Sequence, residues 1–150
     1  MKNPTTNSIS NNLLEFMMLY HRKFASFFHK PSNSHEPLNK NQKKVLLILK
    51  HHQGVSHTFL SKGLDLQKGS LTTLIDSLEE MELVKRETDP QDRRRVHLFL
   101  TKKGDSAIGA IMEGYSDYLQ QLFSRLSVEE REEFQRNLEN AITIIRKIGE

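Results

Sequence analysis

The sequence predicts a mainly α-helical fold that carries one small β-hairpin. Three observations predict it. Apolar residues recur at three- and four-residue steps through long stretches at both ends of the chain. The middle holds a close series of shorter helical segments. Residues 83–100 alternate in the two-residue manner of strands on either side of a turn-forming tip.

In chain order, residues 8–29 read as a helix with a broad aromatic stripe. Ile9, Leu13, Phe16, Met17, Tyr20, Phe24, Phe27 and Phe28 form the stripe; Glu15, Arg22 and Lys23 lie off it. Pro31 and Pro37 bracket a polar loop. A second helix runs from Asn39, its N-cap, to about His52, with Val45, Leu46, Ile48 and Leu49 on its apolar side and Gly54 closing it. Ser56 caps a short third helix to about Gly63, and Leu64-Asp65-Leu66 makes a turn. The fourth helix, Gln67 to Met81, buries Leu71, Leu74, Ile75 and Leu78, and its first turn is polar and free of acid. Strands follow at Leu83 to Glu87 and Arg95 to Leu100, joined by a turn at residues 88–92. Thr101 caps a long helix to about Leu126. Ser127-Val128-Glu129-Glu130 is a capping box that starts the last helix.

Composition bounds the function. At 150 residues the chain fits one domain with appended helices. Its 36% of hydrophobic residues is low for a chain that completes its core alone, which suggests a partner chain. There is no cysteine, so disulfides and thiol chemistry are excluded. No run of about 18 apolar residues predicts a membrane span. The first ten residues lack the apolar core of a secretory signal, so a cytoplasmic address is expected. The net charge is only +3, but it is unevenly spread. Residues 39–104 hold thirteen Lys/Arg against eight Asp/Glu, whereas residues 105–150 hold five against nine. A basic middle suits a polyanion.

A short helix, a tight turn, a longer helix and a hairpin together make a winged helix-turn-helix. In that arrangement the longer helix is offered to the DNA major groove. Gln67, Lys68, Ser70 and Thr73 lie on its non-apolar side, near free N–H groups that favour phosphate. Gly69 leaves the backbone open to close approach. At the hairpin tip, Arg93, Arg94 and Arg95 leave the turn in succession. Arginine suits phosphate forks and narrow minor grooves, and Asp92 is placed to hold Arg94.

Residues 83–104, LVKRETDPQDRRRVHLFLTKKG, resemble the wing signature of the MarR (multiple antibiotic resistance regulator) family. That signature runs Leu-Val-x-Arg, Asp-x-Arg, Leu-Thr-x-x-Gly. It is met by Leu83, Val84 and Arg86, by Asp92 and Arg94, and by Leu100, Thr101 and Gly104. LTTLIDSLEE is similar to the family's recognition helix and LSVEEREEF to the start of its last helix, so the likeness covers about Asn39 to Leu138. The resemblance implies a homodimer with interleaved terminal helices, a recognition helix in the major groove and a wing arginine in the minor groove. It makes Gln67, Lys68, Ser70, Thr72 and Thr73 the helix contacts and Arg94 the wing contact. Arg86, Arg93 and Arg95 become contacts to the DNA backbone. The implied function is a DNA-binding transcription regulator, a repressor on a pseudo-palindromic operator, with room for a small-molecule effector. Phe16, Met17, Tyr20 and Phe24 are the candidates to line an effector pocket or, alternatively, to form dimer core. The expected division is residues 1–38 for an N-terminal dimerisation helix and loop, 39–104 for the DNA-binding domain and 105–150 for C-terminal dimerisation helices. The family often has Gly where Glu82 and Asp65 stand, and Phe59 and Ser61 replace its usual Glu and Ala.

Other chemistries find less support. His51 and His52 are adjacent and point to different helix faces; neither His21 with Glu15 nor His29 with His35 has convincing metal spacing, so no metal or cofactor is expected. Catalysis lacks a Gly-rich phosphate loop and a nucleophile–base grouping, so no enzyme is expected. The rival reading is a winged helix that binds protein, which would expose apolar residues where this chain has arginines.

Overall fold

The computed structural model describes residues 4–29, 37–64 and 66–148. The loop expected between Pro31 and Pro37 therefore lies almost wholly outside the described residues, as do Asp65, His35 and the side chains of His29 and Lys68. The elements run α1 (Pro4–Lys23), a 3₁₀ turn (Ala25–His29), α2 (Lys40–His51), β1 (Val55–Ser56), α3 (His57–Leu64), α4 (Lys68–Glu80), β2 (Val84–Thr88), β3 (Val96–Leu100), α5 (Lys102–Phe123) and α6 (Val128–Ile148). They form two compact units, Met1–Tyr115 and Ser116–Glu150.

The first unit surrounds one core. Val45, Leu46 and Leu49 of α2, Leu60 of α3, and Leu71, Ile75 and Leu78 of α4 meet Leu83, Val84, Leu98 and Leu100 around the sheet. Ile108 and Ile111 of α5 close it. The caps act as their chemistry demands. Asn39 Oδ1 accepts from the N–H groups of Asn41 and Gln42, and Gln42 Oε1 accepts from Asn39 N at 2.8 Å. Ser56 Oγ accepts from Phe59 N at 3.2 Å, and Thr101 Oγ1 from Gly104 N at 2.9 Å.

Three expectations are corrected. The first helix does not run to residue 29: α1 ends at Lys23 and tightens into the 3₁₀ turn. There the adjacent rings of Phe27 and Phe28 both pack on Tyr115, with centroids 5.1 and 5.2 Å away. Gly54 does not close α2, whose C-cap is His52 with its N–H on Ile48 O. Gly54 lies two residues further on at φ +72, and its N–H donates to Leu98 O, which leads the chain into the sheet. The hairpin also gains a third strand. The sheet order is β1-β3-β2, with Val55 opposite Leu98 and Val84 opposite Leu100.

Lys43 is buried, with 2% of its surface exposed, and burial lowers its pKa. Its Nζ donates to Phe28 O at 3.5 Å, which ties α2 to the 3₁₀ turn. In the second unit, the Ser127 capping box starts α6: Glu130 N donates to Ser127 Oγ and Ser127 N to Glu130 Oε2. The rings of Phe123 and Phe134 meet at a tilt of 50°, with centroids 5.3 Å apart.

Candidate nucleic-acid interface

The recognition helix α4 begins one residue later than expected, so Gln67 is its N-cap residue and makes no side-chain cap bond. The exposed side chains of Gln67, Ser70, Thr72 and Thr73 gather along the first turns of α4. Thr73 Oγ1 donates back to Gly69 O at 3.4 Å. The backbone of Lys68 begins the helix. No acid stands in that first turn, so the positive end of the helix dipole is uncompensated.

The wing tip is built by carboxylates that grip backbone. Asp89 Oδ1 accepts from Gln91 N at 2.8 Å and from Asp92 N at 3.2 Å. These N–H groups, and then His97, hold the Asp89 carboxyl below its ordinary pKa. Asp92 was expected to hold the Arg94 guanidinium. Instead its Oδ1 accepts from the backbone N–H of Arg94 at 3.1 Å, while Oδ2 pairs with Arg95 Nε at 3.4 Å. A carboxylate inside a tight turn reaches the nearby amide first, which leaves the Arg94 side chain outward and exposed. Arg93 and Arg95 are exposed beside it. Arg94 and Arg95 also line a cleft of about 660 Å³ together with Ser56, His57, Thr58 and Phe59 at the start of α3.

Arg86 departs from expectation. The family resemblance implies a contact to the DNA backbone, yet its side chain is only 28% exposed and is paired inside the protein. Its guanidinium pairs with Asp76 at 2.5 Å and with Glu79, and its backbone N–H donates to Glu79 Oε1 at 3.2 Å. Both acids are on α4, so Arg86 locks the wing's first strand to the recognition helix. A second clamp holds the other side of α4: Gln42 Nε2 donates to Ser77 Oγ at 2.8 Å. At its C-terminal end, Lys103 Nζ donates to Met81 O at 2.8 Å. The sequence reading missed Gln42, Asp76, Glu79 and His97. The acid pair at i and i+3 on α4, followed seven residues later by Arg86, was the signal available for the first clamp.

The pocket candidates Phe16, Met17 and Tyr20 are exposed on α1, and Phe24 is half-buried just after it. Phe16, Tyr20 and Phe24 form a ladder with centroids 6.1 and 5.9 Å apart.

The family model described as MarR family matches residues 38–96, which span the helix-turn-helix and the wing as far as the start of β3. A transcriptional regulator, HosA of Escherichia coli O111:H-, is 30% identical over 65% of this chain and 72% of its own length. The chain belongs to the MarR family. The putative transcriptional regulatory protein for the hcr operon of Thauera aromatica is 32% identical over 58% of this chain, which spans about half (52%) of that relative's length. Among solved structures, MepR, a transcription regulator of the Staphylococcus aureus multidrug efflux pump MepA, superposes with a TM-score of 0.68 at 26% identity. That match covers 87% of this chain and 95% of MepR. A MepR-like protein complexed with pseudoligands gives a TM-score of 0.53 at 28% identity over 95% and 97% of the two chains. The MarR relatives are named as transcription regulators, and the fold is the winged helix-turn-helix that the MarR signature implied. Among the described residues, no helix is long and apolar enough to cross a membrane.

Proposed function

We propose that this chain is a repressor that binds a pseudo-palindromic DNA operator as a homodimer. One observation carries the reading: an acid-free recognition-helix N-terminus and a tip of three exposed arginines stand on one clamped body. Residues 39–104 read the duplex. Gln67, Ser70, Thr72 and Thr73 meet base edges or phosphates with Lys68, and Arg94 enters the adjacent minor groove flanked by Arg93 and Arg95. Arg86 is withdrawn from the contact set, since α4 already uses its charge.

Residues 1–38 and 105–150 supply the dimer contacts in this reading. Leu13, Phe16 and Met17 of α1 are half exposed or more, and α6 is amphipathic over 21 residues without one buried side chain. Helices of this kind gain most of their stability by packing an apolar face, and a second copy supplies that face. A small-molecule effector bound near Phe16, Met17, Tyr20 and Phe24 would release DNA by preferring a lobe spacing that misfits the operator. It needs different affinities for the two states to do so. The MepR-like relative complexed with pseudoligands supports this part.

The test is selection of duplexes from a randomised pool at about 150 mM salt. The expected product is an inverted repeat with half-sites one turn, ~34 Å, apart. Recovery of no enriched sequence overturns sequence-specific regulation. Absence of binding even at low salt favours a protein-interaction module.

A further inference from the structure

One titratable side chain in the wing has no part in the reading above. His97, second in β3, bridges two places. Its Nδ1 lies 2.8 Å from the carbonyl oxygen of Gly54, just before β1. Its Nε2 lies 3.3 Å from Oδ2 of Asp89, at the start of the wing turn. Both partners are acceptors: Gly54 offers a carbonyl, and Asp89 is ionised at neutral pH. A neutral imidazole has one N–H and one lone pair. It satisfies one partner and turns its lone pair on the other. Only the imidazolium donates to both.

The contacts continue outward. Asp89 Oδ1 holds the amides of Gln91 and Asp92. Asp92 in turn holds the amide of Arg94 and the guanidinium of Arg95. His97 thus stands at the root of the chain that sets the arginine tip. We propose that His97 is a positioning residue for the wing arginines and acts as the imidazolium, so that DNA binding weakens as the ring loses its proton. This rests on the wing being a DNA contact.

The surrounding charges are mixed. From β2, Glu87 is the register partner of His97 and favours the cation, but it is also paired with Lys85. Arg95, before β3, lines the same cleft and opposes it; His57, at the start of α3, lines it too, and β1 contributes the uncharged Ser56. Asp89 is the charge in contact with the ring. On deprotonation one of the two bonds is lost, and in this proposal it is the longer one, to Asp89. The tip then loosens while the sheet stays intact.

Two measurements on the full chain test this. The first uses no DNA: ¹⁵N signals of the His97 ring and the amides of Gln91, Asp92 and Arg94 are followed from about pH 5.5 to 8, the range in which histidine ordinarily titrates. The expected result is doubly protonated nitrogen at low pH, with the three amides moving at the ring's midpoint. A ring already neutral at pH 5.5, or amides indifferent to it, overturns the proposal. The second measures affinity for the selected duplex at fixed ionic strength for the wild type and His97→Asn, whose amide keeps a donor for Gly54. Between pH 6 and 8 the wild type is expected to lose about fivefold more affinity than the variant, the scale of one net hydrogen bond at a partly exposed site. Parallel profiles overturn the His97 role if Arg94→Ala still weakens binding. If Arg94→Ala also leaves binding unchanged, the wing's DNA contact is what fails.

Discussion

Gly104 faces the carbonyl of Leu83 so closely that a β-carbon on it would stand 1.9 Å from the oxygen. The same oxygen accepts from Thr101 N at 3.1 Å, so it cannot retreat without loosening the start of α5. This is the physical content of the Leu-Thr-x-x-Gly end of the wing signature. The threonine caps α5, and the glycine lets that helix lie against the chain entering the wing. Gly104→Ala is expected to destabilise the fold by at least about 2 kcal/mol, the scale of overpacking against backbone. Urea unfolding measures it, and a loss under about 0.5 kcal/mol, ordinary for a surface change, contradicts the contact.

Glu82 carries the opposite lesson. Among the described residues it is the one non-glycine with positive φ, at +60. Its carbonyl is held there by Thr101 Oγ1 at 2.6 Å. The family often has glycine at this place, and the left-handed conformation explains why: a side chain there costs about 1–2 kcal/mol. Glu82→Gly is expected to stabilise the protein by roughly 0.5–1 kcal/mol, because greater freedom of the unfolded glycine offsets part of the relief. Thermal unfolding at fixed protein concentration reads the result, and a lower melting temperature would contradict it.

Arg86 and Arg94 separate by salt dependence. Arg86 is committed to Asp76 and Glu79, which are 52% and 36% exposed, so removal of its side chain is expected to cost only about 1 kcal/mol of stability. Arg86→Ala is expected to weaken DNA binding by letting α4 and the wing drift apart, with no change in the slope of log affinity against log salt. Arg94→Ala is expected to weaken binding to every sequence and to reduce that slope by about one phosphate's share. Titrations at several salt concentrations decide between the roles; an equal drop in slope for both variants would return Arg86 to the phosphate contacts.

Much of the fold was legible because its signals are local. Asn39, Ser56, Thr101 and Ser127 are caps whose partners lie two or three residues away. The stripe of α4 names its own buried face through Leu71, Ile75 and Leu78. What escaped depends on residues far apart in sequence. β1 is two residues long, too short for any alternation, and exists because Val55 finds Leu98 across 43 positions. The 3₁₀ turn after Lys23 packs Phe27 and Phe28 on Tyr115, on another element. In the candidate interface, residue type distinguished arginines from their surroundings but not their tasks. Arg86 and Arg94 both fit the signature, and only the positions of Asp76 and Glu79 show which of them is already engaged.

Asp89 supplies the wing's acid limit. Backbone N–H groups of Gln91 and Asp92 favour its ionised form, followed by His97, and its pKa lies below the ordinary 3.8. A carboxylate whose pKa is depressed on folding contributes stability above its unfolded pKa, and that contribution is lost as pH falls through the folded value. Its charge is therefore constant from about pH 5 upward and is lost only in acid, as the pH falls through the lowered value. Any loosening of the wing between pH 6 and 8 then belongs to the histidine and not to the carboxylate. Asp89→Ala is expected to speed hydrogen exchange at Gln91 and Asp92 at every pH in that range and to remove the pH dependence of the tip, while the buried amides of Leu71 and Ile75 keep their protection. Slow exchange at Gln91 and Asp92 in the variant would mean that the turn holds its shape without the carboxylate, and that the path from His97 to the arginines runs elsewhere.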